Sequence, residues 1–269
     1  TVTVTQPVFQ GFRTVAGIRQ AENQVQAGRA QLRVTEQSVL FDGATAYMNV
    51  FRDQAVLQLT VNNEQVIRRQ LEATQDRFRV GEVTRTDVAQ AQSRLALATA
   101  QRVTAEGNLQ TSRGTYQRVI GSYPGILQSP LAKLDLPVTR DEAIAVAAGN
   151  NPNVTAAQYT ERAAQANVTV TTGQMLPEVN VQAQGFRSDT LGGLSDAHQI
   201  GAQLTAVLSL PLYSSGSVEA QVRQSKQVAG QRRIQIEEQR NLSVESAIVS
   251  WEGWTSAKAQ IVSFTEQVE

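Results

Sequence analysis

Apolar residues recur at a seven-residue step along the first part of the chain, at Ile18, Val25, Leu32, Val39 and Ala46. A second series follows at Val50, Leu57, Leu71 and Phe78, interrupted by Glu64. A period of seven marks helices packed side by side in coiled-coil fashion. No proline falls between Pro7 and Pro124 or after Pro211, so two long stretches are free to be helical. The first is expected to be one helix from about Phe12 to Arg79, roughly 100 Å long at about 1.5 Å per residue. Gly17, Gly28 and Gly43 each weaken such a helix by about 1 kcal/mol relative to alanine, so packing must stabilise it. Their missing side chains also let a neighbouring helix approach closely.

The pattern breaks at Phe78-Arg79-Val80-Gly81, and Thr84-Arg85-Thr86-Asp87 offers a capping-box start to a second helix reaching about Val119. This predicts a helical hairpin with a tight tip, in which Gly81 serves the reversal. Residues 121–137 carry three prolines and two glycines and are expected to be irregular. Thr139 and Glu142 then cap a short helix, Asp141 to Ala148, which Gly149-Asn150-Asn151-Pro152 ends. A further helix runs from about Val154 to Thr172 and closes at Gly173.

Beyond it the period changes to two. Val179, Val181, Ala183 and Gly185 alternate with Asn180, Gln182, Gln184 and Phe186, and 200–210 alternates in the same way. Strands Glu178 to Arg187 and Ile200 to Leu210 have the ~10-residue length needed to cross an outer membrane. Ser188 to Gln199 is a polar loop between them. One hairpin cannot close a barrel, so its edges require partners in the chain or on other subunits.

Sliding the sequence against itself by 204 positions aligns Pro7 with Pro211, Phe9 with Tyr213, Ile18-Arg19-Gln20 with Val222-Arg223-Gln224, Leu32 with Ile236, and Tyr47 with Trp251. The repeated unit is strand, proline turn, long helix. The counterpart of the tip would fall at 282–292, past Glu269, and that of Pro152 would precede Thr1. The sequence is therefore expected to be an internal portion of a longer protein.

Composition narrows the chemistry. Aromatics make up 5% and hydrophobic residues 41%, which suits long helices packed through small side chains better than a thick core. The 24 basic and 24 acidic residues are spread along the chain, so no basic stripe calls for nucleic acid. Cysteine is absent, which excludes disulfides and thiolate metal sites. No apolar run reaches the ~20 residues of a spanning helix, which leaves a β-barrel open.

Ser195, Asp196 and His198 have the residue types of a hydrolase triad, but neighbours in one loop cannot supply an oriented nucleophile, base and orienter. A single histidine makes no histidine-rich metal site. No Gly-Lys-Ser/Thr phosphate loop occurs, so nucleotide hydrolysis would have to come from a partner. No catalytic, cofactor-binding or metal-binding residue is expected. Trp251 and Trp254 are read as packing residues.

The junction Thr5-Gln6-Pro7-Val8-Phe9, repeated as Ser209-Leu210-Pro211-Leu212-Tyr213, the tip Phe78-Arg79-Val80-Gly81 with Thr86-Asp87-Val88, and Leu176-Pro177-Glu178 opening a strand together resemble the TolC family of outer-membrane efflux and secretion ducts. The resemblance covers the whole chain. It implies a mainly α fold with a β membrane portion: coiled-coil-like hairpins forming a trimeric α-barrel, and strands entering a shared 12-stranded β-barrel in outer-membrane lipid. It implies a passive, non-enzymatic duct working as a homotrimer with a periplasmic adaptor and an inner-membrane pump or ABC transporter. Gly81, Thr86 and Asp87 would then lie at the periplasmic entrance, with Asp87 either capping its helix, gating the pore, or both. Phe9, Phe12, Phe186 and Tyr213 would be interfacial aromatics or packing residues. The organisation is expected as a first repeat, 1–121, an equatorial segment, 122–150, and a second repeat, 151–269, containing the hairpin 178–210. The alternative from another class is a soluble elongated coiled-coil structural or adaptor protein.

Overall fold

A computed structural model describes residues 1–129, 136–190 and 197–268. The elements run β1 (Val2–Gln10), α1 (Arg13–Arg79), α2 (Arg85–Ile120), α3 (Arg140–Asn150), α4 (Pro152–Thr172), a 3-10 turn (Gly173–Met175), β2 (Glu178–Thr190), β3 (Ala197–Ser209) and α5 (Ser217–Val268). The chain forms two compact units, one of Thr1–Val34 with Leu136–Glu269 and one of Thr35–Asp135.

The second unit is a helical hairpin. Along α1 its inward stripe is Val50, Asp53, Leu57, Thr60, Glu64, Ile67, Leu71 and Thr74. Along α2 it is Val88, Ala91, Leu95, Ala98, Arg102, Ala105, Leu109, Ser112, Tyr116 and Val119. Both stripes step alternately by three and four, the spacing of coiled-coil seam positions. All these side chains are buried or half-buried, and Val50 is fully buried. Every second position of the α2 stripe from Ala91 to Ser112 is small, Ala91, Ala98, Ala105 and Ser112, which lets the helices run close together there.

Val50, Leu57 and Leu71 of the second apolar series therefore lie on this seam and Glu64 continues it, whereas Phe78, at the end of the series, is exposed. The Glu64 carboxylate is 6% exposed and accepts from Arg102 Nε at 2.5 Å, Arg68 Nη2 at 2.8 Å and the Thr99 hydroxyl at 3.1 Å. The first series behaves differently. Ala46 is buried, but Ile18, Val25, Leu32 and Val39 are each more than half exposed, so no described residue covers that stripe.

The first unit carries an antiparallel sheet in the order β1-β2-β3, on which α1 begins. In the same unit α5 packs against α4 and α3. Small side chains again fill the contact: Val154, Ala163 and Thr171 are buried on α4, and Val222, Ser225 and Ser243 on α5. Thr139 caps α3, accepting from the Glu142 N–H, and Asn151 caps α4, accepting from the Asn153 N–H, with Pro152 at the first helical position.

The strands are longer than the alternation suggested. Pairing continues to Thr190 opposite Ala197, so Ser188–Thr190 and Ala197–Gln199, expected in the loop, belong to the strands. Pro7, expected in a turn, instead lies within β1, opposite Asn180, and the register shifts between Pro7 and Phe9. A proline gives no N–H to the ladder, and a bulge on an outer strand absorbs it. Its counterpart Pro211 lies beyond β3, which ends at Ser209.

Candidate functional site

The hairpin tip is built by complementary caps. Gly81 takes φ +85°, a left-handed conformation suited to a residue without a Cβ. Its N–H donates to Phe78 O at 3.0 Å, and the Glu82 N–H donates to Arg77 O at 2.9 Å, closing the end of α1. Arg77 and Glu82 pair at 3.1 Å across the turn. On the other side the Thr84 N–H and hydroxyl both donate to Asp87 Oδ2 at 2.8 Å, and the Asp87 N–H donates back to Thr84 Oγ1 at 3.3 Å.

This is a complete capping box. The donated backbone N–H of Thr84, followed by its hydroxyl, holds the Asp87 carboxyl below the usual carboxylate range. Asp87 and Thr86 are exposed. Beside Asp87 a groove of about 220 Å³ opens between the helices, lined by Ile67, Gln70, Thr74, Gln90 and Arg94. The tip thus presents Gly81, Thr86 and Asp87 within one short, hydrogen-bonded reversal.

The sheet has two chemically distinct faces. Its rungs alternate: Val2, Gly185 and Ala202; then Thr3, Gln184 and Gln203; then Val4, Ala183 and Leu204; then Thr5, Gln182 and Thr205. Side chains on successive rungs point to opposite faces. Val2, Val4, Val8, Ile200, Leu204 and Leu208 are exposed large apolar residues. On a sheet surrounded by water this exposure would be costly, at about 25 cal/mol per Å² of apolar surface.

Of the four aromatics, Phe9, Phe12 and Tyr213 are placed at the helix-side end of the sheet. Phe9 and Phe12 meet edge to face with centroids 5.2 Å apart, and Tyr213 is 86% exposed just past β3. Phe186 is separate from them. It lies further along β2, on the face of Gln182 and Gln184, with its ring over Gly201, where a Cβ would stand 2.7 Å from Cε1.

The turn from sheet to helix carries a polar clamp that sequence reading did not single out. Glu178 accepts from Arg13 at 2.8 Å, Asn180 at 3.2 Å and Gln10 at 3.4 Å, joining β1, α1 and β2. Behind it Gly11 and Gly173 cross in contact, since a Cβ on Gly173 would stand 2.5 Å from Gly11 O. Glu178 closes the Leu176-Pro177-Glu178 motif, so its position was visible in the sequence and its partners were not.

Ser195 and Asp196 lie outside the described residues, and His198 pairs through its backbone with Asp189. Among the described residues no group of His, Cys, Asp and Glu is arranged to hold a metal ion, and no helix is long and apolar enough to cross a membrane.

Comparison with known proteins agrees with this geometry. Outer membrane efflux protein BepC of Brucella suis biovar 1 (strain 1330) is 32% identical over 262 residues, which is 97% of this chain and 58% of that protein. Outer membrane protein TolC of Escherichia coli (strain K12) is 29% identical over 205 residues, 71% of this chain and 42% of that protein. The chain thus spans about half the length of the curated relatives it matches. Among solved structures, CusC superposes with a TM-score of 0.85 at 13% identity, over 98% of this chain and 63% of that one. The outer membrane protein VceC of Vibrio cholerae gives 0.74 at 21% identity, over 98% of this chain and 64% of that one. These likenesses establish a mainly α channel-type fold with a small sheet. With the family model matching residues 1–122 and 143–269, the chain belongs to the outer membrane efflux protein family.

Proposed function

We propose that the protein containing this chain is a passive exit duct across the periplasm and outer membrane, for efflux or type I secretion. The observation that carries this reading is the sheet. One face is apolar and exposed, the other is lined with Gln and Thr, and the outer edges of β1 and β3 are paired with no strand among the described residues. A barrel wall with lipid outside and water inside satisfies all three conditions.

Strand stagger supports closure. Thr5 and Ser209 are equivalent in the repeat, yet Ser209 lies on the rung of Glu178 and Thr5 on the rung of Gln182. Such a shift between repeats is what tilted strands need to close a barrel. A homotrimer sharing a 12-stranded barrel removes the edges, with the repeats at 1–121 and 151–269 joined by 122–150. The uncovered Ile18–Val39 stripe is then available to neighbouring helices in the tube.

At the entrance, Asp87 caps α2 and also contributes one carboxylate per subunit to a ring that favours cations, with Thr86 and Gly81 shaping the constriction. Phe9, Phe12 and Tyr213 form the inner interfacial belt. Energy enters through an inner-membrane pump or ABC transporter joined by a periplasmic adaptor, so the duct itself performs no catalysis. The exposed heptads favour a second reading, a soluble coiled-coil adaptor.

One experiment separates the two readings. The intact protein is extracted from a Gram-negative outer-membrane fraction and its mass in detergent is measured alongside conductance in planar bilayers. A conducting trimer supports the duct. A water-soluble monomer or dimer without conductance rejects it in favour of the adaptor.

A further inference from the structure

We infer that the pocket beside Asp53, on one flank of the α1–α2 seam, binds a primary ammonium group.

The pocket lies wholly within the hairpin unit and has a volume of about 390 Å³. Asn49, Arg52 and Asp53 line it from α1, and Asn108, Thr111, Ser112 and Thr115 line it from α2. Asp53 is only 8% exposed, and a carboxylate held that far from water needs its acceptor sites filled. Arg52 fills one oxygen alone. Its Nε and Nη2 both approach Oδ1, at 2.9 and 2.8 Å, and nothing among the described residues donates to Oδ2.

The α2 wall offers acceptors and no spare protons. The hydroxyls of Thr111, Ser112 and Thr115 donate back to their own helix, to Gly107 O at 3.0 Å, Leu109 O at 3.0 Å and Thr111 O at 3.2 Å. Each hydroxyl oxygen therefore keeps only lone pairs for the pocket. Asn49 and Asn108 make no hydrogen bond among the described residues, and each can turn its carbonyl inward.

A carboxylate and several oxygen acceptors gathered around one space suit a cation that brings its own N–H donors. A primary ammonium carries three of them on one compact charge. An anion would instead meet the Asp53 carboxylate. Arg52 competes only weakly for that carboxylate, because its side chain is 65% exposed and water screens its charge. Two carriers bring such a group, a cationic solute and a lysine side chain, and one set of measurements separates them.

The intact protein is melted in rising propylammonium chloride, with tetramethylammonium chloride at matched ionic strength as a cation without N–H donors. Propylammonium should raise the melting temperature saturably and tetramethylammonium should not. Asp53→Asn should abolish the shift and Thr115→Val should shrink it, whereas Glu72→Gln, at an exposed carboxylate outside the pocket, should leave it intact. Arg52→Gln should lower the propylammonium concentration that gives half the shift, since a competing cation is gone. That readout and Thr115→Val remain if Asp53→Asn does not fold. A site already filled by a side chain reads differently: propylammonium gives no shift, and carbodiimide treatment joins the Asp53 carboxylate to a lysine amine as an amide, found by mass spectrometry. That outcome supports the ammonium site and assigns it to a lysine. Absence of both the shift and the amide overturns the inference, as does a shift that tetramethylammonium reproduces or that Asp53→Asn retains.

Discussion

Phe12 and Gly216 stand 204 positions apart in the repeat, and both hold a left-handed backbone, with φ of +61° and +77°. Each follows another left-handed residue, Gly11 at +57° and Ser215 at +53°. Two successive left-handed residues thus turn strand into helix in both repeats, although the glycine has moved by one position between them. The backbone path is what the repeat preserves, and each copy relieves its strain at a different residue.

This arrangement predicts unequal effects of adding a methyl group. Gly216→Ala has open space around it and meets only backbone strain, which should cost about 1 kcal/mol. Gly11→Ala meets the same strain and also overlaps the Gly173 carbonyl and the Leu176 side chain. It should cost more than about 2 kcal/mol. Thermal dissociation of the assembled protein distinguishes them, and equal shifts for the two variants would remove the role of the Gly11–Gly173 crossing.

The tip gives a pH prediction of definite sign. Asp87 has a folded pKa below its unfolded value because Thr84 donates to its carboxylate. Its stabilising contribution is therefore fully present above the ordinary carboxylate pKa and is lost as pH falls through the lower folded value. Hydrogen-exchange protection of the first turn of α2 should hold from neutral pH down through mild acid and decline only in stronger acid. Asp87→Ala should remove that acid step, and Thr84→Ala should lower protection at all pH values by about 1 kcal/mol.

Much of this fold was legible because helices and strands with one committed face carry it in their period. The tip reversal and the capping of α2 followed from Gly81, Thr84 and Asp87 alone, since these are local interactions. The rest depended on distant partners. Glu64 reads as a break in an apolar series until Arg102, 38 residues on, is seen opposite it. The Ile18–Val39 stripe announces an adhesive face without naming what covers it. Glu178 looks like a strand opener, and only folding brings Gln10 and Arg13 to it. The ends of β2 and β3 were missed because ladder bonding extends strands where side chains no longer alternate.

Phe186 and Gly201 illustrate a pair whose importance lies in the missing side chain. The ring covers the backbone of Gly201 on the opposite strand, a contact that pins register where a glycine would otherwise weaken the hairpin. Phe186→Ala should cost about 1 kcal/mol in the stability of the assembled protein. Phe186→Ala combined with Gly201→Val should recover part of that loss by filling the vacated space, whereas Gly201→Val alone should destabilise through collision with the ring. Additive effects of the two changes would mean that the ring and the glycine act independently.

The face assignment of the sheet makes the sharpest prediction, because neighbouring residues on β3 should respond oppositely to the same charge. Leu204 lies on the rung of Val4 and Ala183 and is 75% exposed, while Gln203 lies on the rung of Thr3 and Gln184. If the apolar face meets lipid, Leu204→Arg places a guanidinium in hydrocarbon, at a cost of about 2–4 kcal/mol near the midplane. Gln203→Arg places it in a water-filled lumen, where it should leave assembly intact and shift conductance toward anions. Outer-membrane yield of trimer reads the first effect and reversal potential in a salt gradient reads the second. Equal tolerance of both substitutions, with no change in ion selectivity, would mean that neither face meets lipid, and the exposed valines and leucines of this sheet would then require a protein partner.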